Sequence, residues 1–397
     1  MRTKQFDSLV QHKGAATKQR DWLVILNAPS VGGASLIRAI EALGSVAGVV
    51  SAGSRDLTRN GFSDAAAEAI AKPDEDKIDS DLRWLSEPNR HLLCWDDDAY
   101  PVLLRRIDTP PAALFIEGDP GCLWQPQIAV IGSRNPTSGG LEHAHDFSAT
   151  LARQGMTITS GLASGIDTAA HIAALDAGAL TIAVNGTGLD RVYPRSSQAV
   201  AERIHSQGAM ISELPLGSPP LRRHFPSRNR IISGLSLAVL VIEAGLNSGT
   251  LITARKAAEQ GRDVFALPGS LHNPMAKGCH RLIREGARLV ETTADIMQEL
   301  GPLAAELQME LRQRLEIADD DQVPTAEKNE SLLEDPDYSR VWKVLGYEPK
   351  PVDTIIEQTG LSAREISSML LMMELKGLVV KQRGGRYIRC NPARAET

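Results

Sequence analysis

Phe225-Pro226-Ser227-Arg228-Asn229-Arg230 sets one aromatic and two arginines within six residues of a chain whose formal net charge is −6. Guanidinium forks pair with phosphate oxygens, and an asparagine can do the same or read a base edge. A phenylalanine ring stacks on a base only where that base is unpaired. The chemistry on offer is recognition of a single-stranded polyanion. The same run also fits a solvated helix start whose Phe belongs to the core. Aromatics make up only 4% of the residues and Phe occurs six times, so a Phe in such company carries weight. Four polar, Gly-rich turns supply more of it: Gly132-Ser133-Arg134, Ser160-Gly161-Leu162-Ala163-Ser164-Gly165, Asn185-Gly186-Thr187-Gly188 and Asn247-Ser248-Gly249-Thr250. Backbone N–H groups in such turns cradle phosphates, with a hydroxyl or Arg adding a hydrogen bond, although glycines there also serve tight strand-to-helix packing. Arg195, Arg222, Arg223, Arg255 and Lys256 stand in or beside the same predicted loops and helix starts. A local basic groove on an acidic protein is the expectation, because indiscriminate coating of nucleic acid usually shows as a basic total.

Other chemistries lack their signatures. The first turn misses G-x-G-x-x-G, no G-K-[ST] occurs, and Ser164 sits at the wrong position for G-x-S-x-G. His143, His145, His171 and His224 show no ligand spacing with carboxylates, so they read as surface or core histidines and no metal is expected. Cys94, Cys122, Cys279 and Cys390 lie far apart with no C-x-x-C, which fits a reducing cytoplasm. The basic Met1 to Arg20 segment meets only a brief apolar run, Trp22 to Leu26. Nothing reads as a signal sequence, and no stretch approaches the ~18 apolar residues of a membrane span.

The elements that must position the candidate residues follow from periodicity. With 397 residues, more than one domain is expected. Leu36, Ile37, Ile40 and Leu43 recur at near-helical spacing after the turn Pro29 to Gly33, so residues 1–95 read as a helical front. That turn is compatible with a helix-hairpin-helix (SAM-like) unit, which lays amides on DNA phosphates, and equally with an ordinary helical hairpin. Lys72 to Pro126 reads as loops and short elements. Short apolar strands are then predicted at 128–131, 157–159, 181–184, 209–212, 237–242, 263–266 and 288–290, alternating with helices. That alternation is α/β: a Rossmann-like, doubly wound, mostly parallel sheet over residues 96–305. Residues 306–338 read as a polar linker, and 339–397 as three helices and a glycine-turned ribbon, a winged helix with basic Lys376, Lys381, Arg383, Arg386 and Arg389.

An ordered series of motifs resembles the DNA processing protein A family, also called DprA or Smf. It runs through Ile131-Gly132-Ser133-Arg134, Ser160 to Asp167 with His171, Gly188-Leu189-Asp190 with Tyr193-Pro194, and Phe225 to Ser236. Glu243-Ala244, Ser248 to Ala254 and Pro268-Gly269 complete it, so that Ala99 to Val290 is covered. The resemblance implies a single-stranded DNA-binding protein that protects incoming strands in natural transformation and helps load the RecA recombinase. It also implies a homodimer formed through the Rossmann-like domain, with no cofactor and no catalytic residue. By the same resemblance, Gly132, Ser133 and Arg134 contact the DNA backbone, Arg195 and Arg222 supply charge, Phe225 stacks, and Arg228, Asn229 and Arg230 follow. Ser248, Gly249, Thr250 and Lys256 complete the expected nucleic-acid site. Two positions depart from the family pattern: Gly278-Cys279-His280-Arg281-Leu282-Ile283 stands where Gly-x-Asn-x-Leu-Ile is usual, and Gly186-Thr187-Gly188 where Gly-Cys-Gly is common.

A rival reading from another class is a nucleotide-processing enzyme of N-glycosidase type, with Arg134 binding and Asp167 or Glu243 as acid or base. A mononucleotide pocket has little use for Phe225 and an arginine run. A third reading puts the main activity in the tail, as a duplex binder or docking module.

Overall fold

The computed structural model describes residues 15–300, 336–346, 350–361, 379–382 and 386–389, with isolated helical positions at 366, 369, 370 and 373. It divides into two compact units, within 1–314 and 315–397. Of the linker expected at 306–338, residues 306–335 lie outside the described residues, as do most of the helix expected at 367–376, the turn Arg383 to Gly385 and Cys390, while 336–338 begin a helix.

Among the described residues, six helices open the first unit: α1 (Ala15–Leu26), α2 (Gly33–Leu43), α3 (Val46–Ser51), α4 (Ser54–Arg59), α5 (Asp64–Ala71) and α6 (Glu75–Leu85). Side-chain caps fix several starts, since Ser45, Ser63 and Asp74 accept from the amides of Gly48, Ala66 and Lys77. Trp22, Leu23, Leu36, Ile40, Leu57 and Ile78 bury their side chains together with Phe115, Ala183 and Met210 of the sheet. In the Pro29 to Gly33 turn, a Cβ at Gly33 would stand 2.8 Å from the Pro110 carbonyl oxygen. Gly33 is therefore held against the 110–112 backbone, while Gly32 of the same turn faces open space.

The sheet has nine strands in the order β1-β2-β6-β5-β4-β3-β7-β8-β9. They are β1 (Arg90–Cys94), β2 (Ala113–Gly118), β3 (Gln127–Ile131), β4 (Thr157–Ser160), β5 (Thr181–Val184), β6 (Ala209–Ser212), β7 (Ala238–Val241), β8 (Asp263–Ala266) and β9 (Arg288–Leu289). From β6 to β9 every pairing is parallel, and all seven strands expected from the sequence are present. The 72–126 region, read as loops and short elements, adds two antiparallel strands: β2 on β6 and β1 on β2, in register from Arg90↔Glu117 to Cys94↔Ala113. Strand β1 thus lies ahead of the boundary expected at residue 95.

Alternation along β3 divides two cores. Ile128 and Val130 pack with α8 (Ser138–Arg153) and α9 (Ile166–Asp176). Ala129 and Ile131 face the opposite side, with α11 (His224–Leu235) and α12 (Thr250–Glu259). Short α7 (Val102–Arg105), α10 (Gln198–Gln207) and α13 (Lys277–Arg284) complete this layer set. The chain steps outward from β3 to β6 and then returns to β7 on the other side of β3. The crevice at such a reversal, beyond the carboxyl ends of the strands, is where open α/β sheets bind ligands. Among the described residues, no helix is long and apolar enough to cross a membrane.

The second unit holds α14 (Pro336–Val344), β10 (Lys350–Pro351), α15 (Val352–Thr359), β11 (Val379–Gln382) and β12 (Arg386–Arg389), with sheet order β10-β12-β11. Val341, Leu345, Ile355, Ile366, Leu370, Met373 and Val379 form its own core. Arg389, counted among the basic wing residues, turns inward, donating from Nε to the Trp342 carbonyl at 3.0 Å with its guanidinium 4.4 Å from that ring's centroid.

Candidate nucleic-acid interface

Glycine placement in the Ser160–Asp167 turn follows from what lies against it. A Cβ at Gly161 would stand 2.6 Å from the Arg228 guanidinium, and one at Gly165 would stand 2.4 Å from the Ser133 carbonyl oxygen. Gly165 also has φ 85°, and between the two glycines buried Leu162 is held at φ 57°, a left-handed conformation costly for leucine. The turn closes on its own carboxylate: Asp167 accepts from the amides of Gly161 (3.2 Å) and Ala163 (3.4 Å). Burial raises the Asp167 pKa from its ordinary value, with Arg228, the two amides and Arg134 opposing it.

The remaining turns are spent in the same way. Glu243, leaving β7, accepts from the Thr137 amide (2.9 Å), the Thr137 hydroxyl (2.7 Å) and the Asn273 amide group (3.1 Å). Thr137 in turn caps α8 by accepting from the Gly140 amide at 3.0 Å, so a resident carboxylate lies at this helix start. Ser248 Oγ donates to Thr250 Oγ1 (2.9 Å), which donates to the Gly132 carbonyl (2.9 Å). Ser248 Oγ also accepts from the Thr250 amide at 3.2 Å, and the Gly188 amide donates to the Ser218 carbonyl at 3.1 Å. Ser133 Oγ accepts from the Asn135 amide at 3.1 Å. Part of the expected backbone cradle is therefore filled from within, at the amides of Gly161, Ala163, Gly188 and Thr250. Ser133, Ser248, Gly249 and Thr250 shape the Gly132-Arg134 turn; their hydrogen bonds run to neighbouring protein groups.

Arg228 and Arg230 depart from the phosphate role expected of them. Arg228 is 4% exposed and donates to the carbonyls of Gly161 (2.7 Å) and Val184, while its Nε donates to Asn229 Oδ1 at 3.1 Å. Burial lowers its pKa to about 10 against the pull of Asp167, with Arg134 adding to the lowering. Arg230 forks onto Glu213, 2.9 and 2.6 Å from its two oxygens. The reason is helical phase: Arg228, Ile231, Ile232 and Leu235 are all buried and recur at i, i+3, i+4, i+7 along α11, on the stripe facing the sheet. That pattern was present in the sequence and is the signal that would have placed Arg228 inside. Beneath it, His171 is buried with Nδ1 2.7 Å from Thr181 Oγ1. Burial, helped by Arg228, lowers its pKa to about 3.

What remains at the mouth is a different set. Arg134 is exposed, its guanidinium 5.7 Å from the Phe225 ring centroid. Phe225 is half-buried, with its Cδ1 3.0 Å from where a Gly186 Cβ would be, so the glycine makes room for the ring. Tyr193 adjoins it at 5.5 Å between centroids, inclined at 45° and 44% exposed. Sequence reasoning had assigned Tyr193 no role, although only five Tyr occur. Arg195 lies in the 3-10 turn Arg195–Ser197, and Arg222 and Arg223 in the turn before α11, all exposed. Among the described residues, Arg134, Arg195, Arg222 and Arg223 have no carboxylate partner. Lys256 is not brought to this mouth: it sits in the last turn of α12, paired with Glu259 at 2.6 Å and about 9 Å along the helix from Thr250.

The chain is similar to known proteins over both units. The family model described as DNA recombination-mediator protein A matches residues 91–301, and that of the DprA winged helix domain matches 323–385. Protein Smf of Escherichia coli is 41% identical over 338 residues, 85% of this chain and 87% of that protein. DNA processing protein DprA of Streptococcus pneumoniae is 46% identical over 203 residues, 51% of this chain and 72% of that one. An X-ray structure of the Streptococcus pneumoniae protein superposes with a TM-score of 0.64 at 36% identity, covering 70% of this chain and 97% of that chain.

Proposed function

The chain belongs to the DNA recombination-mediator protein A family, and from that premise we propose that its Rossmann-like domain binds single-stranded DNA without transforming it. The observation that carries this reading is the mouth of the sheet, where exposed Arg134 lies 5.7 Å from the Phe225 ring, exposed Arg195 borders a cleft with Tyr193, the two partly exposed rings adjoin, and exposed Arg222 and Arg223 precede Phe225 in the chain. Arginines hold the phosphates and the rings favour unpaired bases, since a duplex offers no free base face. Against the nucleotide-processing alternative, Asp167 closes on two amides of its own turn and Glu243 on Thr137 and Asn273. A carboxylate acting as acid or base must instead reach its substrate.

The finer role is part of the same proposal: protection of incoming strands, assistance in loading the RecA recombinase, and a homodimer. Titration of the purified chain with a labelled single strand, in competition with duplex and with mononucleotides, tests the core of it. Single strands are expected to win, with affinity falling as salt rises. Preference for mononucleotides, or release of free base from them, would favour the enzyme instead. Light scattering and a strand-exchange assay with RecA on coated single strands test the dimer and the loading role.

A further inference from the structure

Beside the Phe225 ring the surface opens a second recess. A cleft of about 610 Å³ is bordered by Arg191, Tyr193, Arg195, Gln198 and Pro220, a size within the range of small-molecule pockets. The Tyr193 and Phe225 rings meet at 45°, so they form adjoining walls rather than one stacked pair. Phe225 backs onto Gly186 and lies beneath the Arg134 guanidinium, while Tyr193 borders the cleft.

The polar groups of the rim are unequally engaged. Thr187 Oγ1 donates to the Arg191 carbonyl at 3.0 Å and holds the loop that carries Tyr193. Gln198 reaches Glu202 at 3.0 Å and Arg191 reaches Asp190 at 3.4 Å. The other Asp190 oxygen is taken by the Gly217 amide at 2.7 Å. Arg195 alone among the charged rim residues has no carboxylate partner among the described residues. An open aromatic face, an uncommitted guanidinium and a recess between them are the parts that hold one unpaired nucleotide.

We infer that this cleft is a second base subsite, with Tyr193 as its stacking surface and Arg195 on the phosphate that joins its nucleotide to the one at Phe225. The inference rests on the single-strand reading above. The rings adjoin, with 5.5 Å between centroids, so the proposal places two neighbouring nucleotides of the strand on them. The smallest ligand that fills the interface is thus a dinucleotide.

Fluorescence anisotropy of labelled thymidine oligonucleotides of increasing length, with the full chain at fixed salt, tests this. The parent is expected to gain affinity sharply from one nucleotide to two. Tyr193→Ala and Gln198→Trp, the latter filling the cleft from its far rim, are each expected to remove that gain and weaken longer strands about 5- to 150-fold, the range of one lost base stack. Tyr193→Phe retains parental affinity. If Tyr193→Ala weakens binding and Gln198→Trp does not, Tyr193 only buttresses Phe225 and the subsite is wrong. If both bind as the parent does while Phe225→Ala is weakened, the subsite is wrong and the single-strand reading stands. A parent that binds no single strand overturns both.

Discussion

Arginine serves opposite ends at the mouth of this sheet and at its floor. At the mouth, Arg134, Arg195 and Arg222 are exposed and have no carboxylate partner in an ion pair among the described residues, although Arg134 lies over the Phe225 ring. Within the same helix start, Arg228 and Arg230 are turned inward onto carbonyls and onto Glu213. The difference teaches that local residue type does not assign a cation to DNA; helical phase and available partners do. The floor arginine locks the Gly161 turn, and through Gly165 that turn abuts the strand exit carrying Arg134. On the single-strand reading proposed above, binding at the mouth would depend on a charge that never meets the ligand.

The largest effect that can break this contrast is on stability. Arg228→Met leaves the carbonyls of Gly161 and Val184 without their buried donor and removes a charge that favours ionised Asp167; it is expected to cost roughly 1–3 kcal/mol of folding free energy for each carbonyl left unsatisfied, read as a lower urea midpoint. A variant as stable as the parent with a reduced salt dependence of binding would move Arg228 to the mouth.

A second test of the floor uses pH. His171 has a folded pKa of about 3, below the ordinary value near 6.5, so between these values the unfolded chain holds a proton that the folded chain does not. Its contribution is complete above about pH 6.5 and is lost as pH falls toward 3, at no more than about 1.4 kcal/mol per unit for one proton. Urea midpoints measured from pH 7 to 4.5 should fall less steeply in His171→Gln than in the parent. Equal slopes would mean that the imidazole titrates freely.

At the mouth, Phe225→Ala should weaken single-strand binding by roughly 1–3 kcal/mol and leave the salt slope nearly unchanged. A large loss of stability in this variant would make the ring a core residue instead. Arg134→Ala and Arg222→Ala should each reduce the slope of log affinity against log salt by about 0.7, the value for one phosphate of a single strand. Lys256→Ala, distant along its helix, should change neither slope nor affinity; a reduced slope would extend the mouth to that face.

Much of the fold was legible because buried parallel strands are short apolar runs between glycine turns, as at Ile128 to Ile131 and Thr181 to Val184. The two antiparallel strands were missed because His91 to Cys94 and Ala113 to Ile116 stand among Pro, Asp and Trp residues that read as loop. At the site, Phe225 and Arg134 stand out in the sequence by type and position, and the fold brings them within 5.7 Å of each other. The filling of the turns was not legible, since Glu243 reaches Thr137 across 106 residues and no local pattern encodes that meeting. Lys256 was drawn in by its nearness to the Ser248 to Thr250 turn, from which its helix carries it away.

The carboxylates lodged in the Gly161 turn and at the start of α8 have a consequence for selectivity in a nucleotide-rich cell. The amides of Gly161, Ala163 and Thr137 are already engaged by carboxylates and cannot capture a lone phosphate, so on the single-strand reading a free nucleotide relies mainly on separate, solvated guanidinium groups, each a weak contact. A strand engages several of them at once, and every contact after the first is intramolecular, at an effective concentration set by the short sugar-phosphate link. Discrimination between polymer and monomer then arises from avidity, with no gate or proofreading step needed.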